Sequence, residues 1–328
     1  MVAARAGVGR GTASRALSGA PQVSQRAREA VQRAAEELGY RPNRAARSLV
    51  TRRTDSIALV VGETEDRVFA DSYFGALTRG VNAELGDSDV QLVFLIARSA
   101  TERKRLENFA IDRRVDGMLL VSMHGDDPLP DALDRAGMPL VLGGRPLRDD
   151  GRLVVDADNR GGARAAVEHL IGTGRRRIAT ITGPMDMAAG VDRLEGYYDA
   201  LRAAKRRPAK ALVAPSDFTE ETGHAAMVTL LRREPTLDAV FAASDVVAAG
   251  ALRALREARR DVPGEVAVVG FDDRPLARHL QPALTTVRQP VEAIGRQMTR
   301  MLLAQMHGEP IEQRCVVLAT ELVVRESA

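Results

Sequence analysis

From Ser56 onward the chain alternates short, unbroken apolar runs with amphipathic stretches. SIALVVG (56–62), VQLVFLI (90–96), GMLLVS (117–122) and PLVLGG (139–144) have strand length and no polar alternation, the pattern of parallel strands buried on both faces. Between them a 3.6-residue periodicity predicts helices over 73–85, 101–113 and 130–136. The series then restarts, with strands in RIATITG, ALVAP, DAVFAA and EVAVVGF and helices over 161–171, 188–204, 220–233 and 246–258. Two successive βα series predict an α/β body of two doubly wound parallel-sheet subdomains with right-handed crossovers. A ligand crevice is expected between them, at the carboxyl ends of the strands.

Ahead of Ser56 the pattern is helical and shorter in scale. VAARAG reads as the end of a helix stopped at Gly7, and a tight turn through Val8 and Gly9 follows. Arg10 to Leu17 reads as a second helix, with Ala13, Ala16 and Leu17 apolar and Arg10, Thr12, Ser14 and Arg15 polar. Ser24 caps a third helix whose Ala27, Ala30, Val31, Ala34 and Leu38 form one stripe, ended by Gly39. This is a small all-α helix-turn-helix plan, in which the second helix enters the major groove of DNA. The stretch YRPNRAARSLVTRRTD (40–55) joins it to the body. Pro42 biases Arg41 away from the helical region, Asn43 can cap a helix over 44–49, and Leu49 stands in a basic run with no local core. Two readings stay open for Leu49. It packs on a neighbouring domain within a solvated linker, or it is a wedge between base pairs in the minor groove.

Charge sharpens the picture. The net +3 divides into +7 for residues 1–55, with eleven arginines and four acids, and −4 for the remainder. A basic end on an acidic body suggests nucleic acid contacted at one end only. Apolar content of 45% and 28% charged residues are those of an ordinary soluble protein. Cys315 is the only cysteine, which excludes an intrachain disulfide and fits a cytoplasmic location. No run approaches the ~18 apolar residues of a membrane span, and none reads as a signal peptide. The five histidines are scattered, so no metal site and no catalytic motif is read, and no cofactor is expected. GVGRG lacks both a preceding strand and the G-x-G-x-x-G spacing of a nucleotide loop.

Within the body, strand ends nominate Arg193, Ser244, Asp245, Asp272 and Asp273. An arginine with carboxylates and a hydroxyl suits a small polyhydroxyl ligand, since carboxylate and guanidinium each bind vicinal hydroxyls in fork geometry. Each also has a structural reading, Asp245 as a helix cap, one of Asp272 and Asp273 as a turn cap, and Arg193 as a surface residue. As neighbours, Asp272 and Asp273 should diverge, unlike a catalytic carboxylate pair.

VAARAGVGRGTASRALSG and VSQRAREAVQRAAEELGYRPNRAARSL resemble the DNA-binding head and hinge of the lactose/galactose-repressor family. VDADNRGGARAAVEHLI, RIATITGP, DRLEGYYDAL, FAASDVVAAGALRALRE, VPGEVAVVGFDD, LTTVRQP and TELVVRES resemble its periplasmic-binding-protein-like effector body, so the likeness covers nearly the whole chain. It implies a helix-turn-helix head at 1–42 and a hinge at 43–55. It further implies an N-terminal subdomain of 56–157 with 289–318, and a C-terminal one of 158–288 with 319–328. Arg10, Gly11 and Arg15, with Thr12 and Ser14 beside them, would meet DNA, the two arginines reading guanines. Asn43, Arg44, Ala46 and Leu49 would form the hinge contact in the minor groove. Arg193, Ser244 and Asp272 would touch the effector, with Phe74 the candidate to stack on it and Tyr73 a weaker one. The implied function is a homodimeric, effector-controlled repressor of a palindromic operator, with a sugar or sugar derivative as effector. The alternatives are a purine- or nucleoside-responsive co-repressed regulator, a sugar-type solute-binding protein without DNA binding, and, more distantly, an α/β enzyme. The sequence departs from the family at Gly9, where a capping Ser is usual, at GETEDRVFADSYFGAL in place of N-P-F-F, and at Met1, which falls inside the first helix as if the start were misplaced or truncated. Absence of a heptad tail after TELVVRES favours a dimer over a tetramer.

Overall fold

The computed structural model describes residues 1–17, 22–40, 53–86, 88–148 and 150–328. At the N-terminus, helices α1 (Val2–Arg5), α2 (Arg10–Leu17) and α3 (Gln25–Glu37) close over Val2, Ala13, Ala16, Val23, Val31, Ala34 and Ala35. Small side chains let the three short helices pack closely. Ser24 caps α3 by accepting from the Ala27 N–H, and Gly7 and Gly39 take the positive φ that ends α1 and α3.

The body holds two six-stranded sheets. The first has the order β11–β5–β4–β3–β1–β2, all parallel, from β1 (Ser56–Val61), β2 (Gln91–Ile96), β3 (Gly117–Val121), β4 (Leu140–Gly143), β5 (Val154–Ala157) and β11 (Cys315–Leu318). The second has the order β12–β10–β9–β8–β6–β7, from β6 (Ile178–Ile181), β7 (Val213–Ala214), β8 (Ala239–Ala242), β9 (Ala267–Asp272), β10 (Thr285–Arg288) and β12 (Glu321–Val323). Among the described strands only the β10/β12 pairing is antiparallel. Every residue of β1 is buried, because Ile57, Leu59 and Val61 enter the core on one face and Ala58 and Val60 that on the other. That two-sided burial is why the strands read as unbroken apolar runs.

Chain segments cross between the sheets at 157–159, 288–291 and 318–321. The Asp158 N–H donates to the Leu318 carbonyl at 2.8 Å and the Thr320 hydroxyl to the Asp158 carbonyl at 3.2 Å, tying two crossings together. Among the described residues three α-helices of the body stand beyond the expected set, one of them the short Pro275–His279. Glu65–Ala70 is capped by Thr64, and the 17-residue Val291–His307 packs along Ser72–Leu85. In each sheet the strand order reverses beside the first strand, between β1 and β3 and between β6 and β8. The crevice of a doubly wound sheet opens at such a reversal.

Candidate effector cleft and nucleic-acid interface

The head presents α2 with Arg10, Gly11, Ser14 and Arg15 exposed and Thr12 half-buried, while Ala13 and Ala16 face the core. The Arg15 Nε donates to the Gly11 carbonyl at 3.2 Å, which lays its side chain back along the helix. Gly9 has no side chain with which to cap α2, but its carbonyl accepts from the Ala13 N–H at 3.0 Å. The exposed face is therefore polar and arginine-bearing, as a base-reading helix requires. The candidate hinge residues Asn43, Arg44, Ala46 and Leu49 lie outside the described residues.

Between the sheets lies a cavity of about 520 Å³, within the usual range of small-molecule sites. Arg193, on helix Ala188–Ala203, is buried at its floor. Its Nε donates to Asn159 Oδ1 at 2.9 Å, its Nη1 donates to the Ala243 carbonyl at 2.5 Å and lies 3.4 Å from Asp272 Oδ1. Its guanidinium carbon sits 3.8 Å from the centre of the Phe271 ring, within cation–π range. Burial pulls the Arg193 pKa down, while Asp272 opposes the fall. Asp272 ends β9 at φ 114° and accepts from Gln289 Nε2 at 2.6 Å. Arg274 pairs with Asp272 at 2.6 Å and, across the cleft, with Asp71 at 2.5 Å. Burial lowers the Arg274 pKa, but Asp272, then Asp71 and Asp245, outweigh it and hold it above its ordinary value. Asp71 also caps the Ser72–Leu85 helix through the Tyr73 N–H. Burial, then Asp156 and Asp272, push the Tyr73 phenol up. Asp156 is raised by burial against the N–H groups of Arg145 and Ala157 that bond it. The arrangement is a set of fixed donors and acceptors against aromatic rings, the inventory for holding hydroxyl groups by fork-like hydrogen bonds.

Two domain models match the chain, one described as bacterial regulatory proteins, lacI family, over residues 2–43, the other as a periplasmic binding protein-like domain over 167–328. The HTH-type transcriptional regulator CelR of Thermobifida fusca is 53% identical over 329 residues, covering 100% of this chain and 97% of that protein. The chain belongs to the lacI family. A solved complex of the transcriptional regulator CelR with cellobiose superposes with a TM-score of 0.82 at 50% identity, covering 100% of this chain and 98% of the other. The lac repressor dimer bound to operator and the anti-inducer ONPF gives 0.83 at 25% identity, covering 99% and 97%. As a lacI-family member the protein is a DNA-binding transcriptional regulator, with the helix-turn-helix head and periplasmic-binding-like body described above, and it acts on operator DNA under a small-molecule effector. Among the described residues no helix is long and apolar enough to cross a membrane.

In this regulator Phe74, Arg193 and Asp272 line the cleft together, and Phe74 also packs into the core of the first sheet with its ring 5.3 Å from that of Tyr73. Ser244 does not join them. Fully buried, it caps helix Asp245–Glu257 by accepting from the Val247 N–H at 3.2 Å, so its hydroxyl is occupied by the helix rather than offered to the cavity. Asp245 is the deeper finding. It accepts from the Thr286 hydroxyl at 2.5 Å and from the Arg274 N–H at 2.7 Å, and so positions Arg274. Burial, then Asp272, raise its pKa. Asp273 points away from Asp272 to pair with Arg288 and Arg325. Sequence reasoning did not nominate Phe218, Arg274, Asp156, Asn159 or Gln289. Phe218 follows a two-residue strand and sits at φ 68°, rare for a bulky residue, on a loop tied by Asp217 to Thr219 and Thr222. Its ring lies 5.6 Å from both the Arg67 and Arg193 guanidinium carbons.

Proposed function

We propose that the protein is a homodimeric, cytoplasmic repressor, without enzyme activity, whose operator affinity is set by a neutral β-linked glucose disaccharide of the cellobiose kind bound between the two body sheets. The observation that carries this is the pairing of the cleft's polar floor with the full-length likeness to a CelR–cellobiose complex. Arg193, Asp272, Asn159 and Gln289 supply hydroxyl-matching groups, and Phe74 and Phe218 supply apolar ring faces. The inner arginines are already paired, Arg193 and Arg274 with Asp272 and Arg145 with Asp192, so the floor of the cleft suits a neutral ligand better than an anionic one. The cleft carboxylates Asp71 and Asp272 are held by Arg274, which suits binding rather than proton transfer. The subdomains read from the sequence fit the chain crossings at 157–159, 288–291 and 318–321. Arg10, Gly11, Thr12, Ser14 and Arg15 read each half-site, and the hinge places Leu49 in the central minor groove.

The test is selection of binding sites from random duplex DNA at near-physiological salt, followed by cellobiose titration of the complex read by fluorescence anisotropy. A palindromic consensus whose occupancy moves with cellobiose, and not with its 6-phosphate, is expected. Release would mark an inducer and tightening a co-repressor. A consensus insensitive to cellobiose would overturn the effector assignment, and no consensus would overturn the operator reading.

A further inference from the structure

His124, unused by the effector contacts above, sits at the edge of the cleft between two carboxylates that belong to different lobes. It follows β3 in the first lobe. Its Nε2 lies 3.1 Å from Glu63 Oε1, which follows β1 in the same lobe, and its Nδ1 lies 3.1 Å from Asp186 Oδ2, which follows β6 in the other lobe. Beside it the Gly125 N–H donates to the Asp186 carbonyl at 2.8 Å, a second bond between the lobes at this point. A carboxylate only accepts, and a neutral imidazole has one N–H and one lone pair. Both contacts are hydrogen bonds only if both ring nitrogens carry hydrogen. We infer that His124 is a positioning residue of the effector site, an imidazolium clasp that joins Glu63 of one lobe to Asp186 of the other and holds the cleft closed.

The surroundings favour the cation. Arg67 shares Glu63 at 3.1 Å, but the adjoining cavity of about 620 Å³ brings seven carboxylates (Glu63, Asp66, Asp71, Asp186, Asp217, Glu220 and Glu221) against the three arginines Arg67, Arg98 and Arg274. The hydrogen bond to Glu63 raises the His124 pKa against the pull of burial, and Asp186 raises it further. The Glu63 contact lies within one lobe and survives opening, so the part that differs between open and closed cleft is the Asp186 contact. Closing therefore takes up proton. The sign follows: a group whose pKa is higher in the closed form favours closure most below its open-form pKa, and the gain is lost as pH rises through the closed-form pKa. This inference rests on the cleft being the effector site, and the experiment separates the two.

Imidazole nitrogen NMR of the full chain, with His124→Gln assigning the signal, uses no ligand. His124 should titrate above the ordinary histidine value of about 6.5 with both nitrogens protonated at neutral pH, and Asp186→Asn should lower its pKa. Calorimetry with cellobiose as probe should then show proton uptake and a fall in affinity of ~3- to 10-fold from pH 6 to pH 8.5, a modest span because Asp186 is half exposed. In His124→Gln and Asp186→Asn that slope should flatten, which a merely structural side chain would not produce. Asp186 is half exposed and Asp186→Asn keeps its shape, so this variant carries the test of the pKa and pH slope, and His124→Gln is needed only to assign the signal. A neutral His124 tautomer at pH 6.5, or the same pKa and pH slope in Asp186→Asn, overturns the clasp. If cellobiose binds at no pH, the effector assignment fails, and the ligand-free titration of wild type against Asp186→Asn still decides the clasp.

Discussion

Asp272 is held at φ 114°, in a region that non-glycine residues enter at a cost of roughly 1–3 kcal/mol. The surroundings that enforce it are the same that make it useful: Gln289, Arg193 and Arg274 converge on its carboxylate from a crossing segment, a neighbouring helix and its own loop. Asp272→Asn keeps the shape but replaces one acceptor oxygen by a donor facing guanidinium groups. Cellobiose affinity measured by calorimetry should fall ~10- to 100-fold, the scale of one charged hydrogen bond. Ser244→Ala makes the opposite prediction. Loss of a buried cap should lower stability by about 1 kcal/mol in a denaturant melt, with effector affinity unchanged, since the hydroxyl serves helix Asp245–Glu257. Residue identity alone could not separate the two roles. Both residues end strands, and only the direction of the side chain, set by the next helix, distinguishes a cap from a ligand contact.

At the scale of elements, the sequence pattern carried the fold class because continuous apolar runs and 3.6-residue stripes are direct records of two-sided and one-sided burial. Helix Val291–His307 follows the same rule, with Ile294, Met298, Met301 and Leu302 on one buried face, but it lies between short strands in a stretch, 289–318, that the resemblance assigns to the N-terminal subdomain with no helix named. What no local pattern records is how closely it lies against Ser72–Leu85. A Cβ on Gly80 would meet the Glu292 carbonyl oxygen at 2.1 Å, and one on Gly295 the Leu77 carbonyl oxygen at 2.4 Å. The two helices touch backbone to backbone, flanked by the ion pairs Arg79–Glu292 and Arg300–Glu84. Gly295→Ala should therefore force the helices apart and destabilise the first lobe by about 1–3 kcal/mol, the scale of overpacking, despite alanine's better helix propensity. A rise in melting temperature by circular dichroism would refute the contact. Phe218 and Arg274 escaped sequence reasoning for a related reason. Arg274 matters through Asp71, some two hundred residues away, and Phe218 through a loop whose positive φ is visible only in three dimensions.

Across the whole molecule, function depends on separating two sets of forces. The first 55 residues carry +7 and the remainder −4, so attraction to phosphate is concentrated at the head end, while the arginines of the proposed effector cleft are paired with carboxylates. The two activities should then respond to different perturbations. Operator affinity should fall steeply with salt, through release of counterions from the duplex, whereas affinity for a neutral sugar should hardly change. A hinge variant tests whether the link between them is the one proposed. Leu49 is a large apolar residue, next to Val50, in the basic stretch 40–55, and a leucine inserted at a base step kinks the minor groove and offsets the cost of unstacking by the added contact. Leu49→Ala keeps every charge of the head. If the leucine is a wedge, operator affinity should drop by ~10- to 100-fold with the salt slope retained, since the phosphate contacts remain, and cellobiose binding to the body should be unaltered. If Leu49 packs on the body as part of a linker, the same substitution should leave operator affinity unchanged and lower the melting temperature instead, so one variant with two readouts decides between the two readings of the hinge.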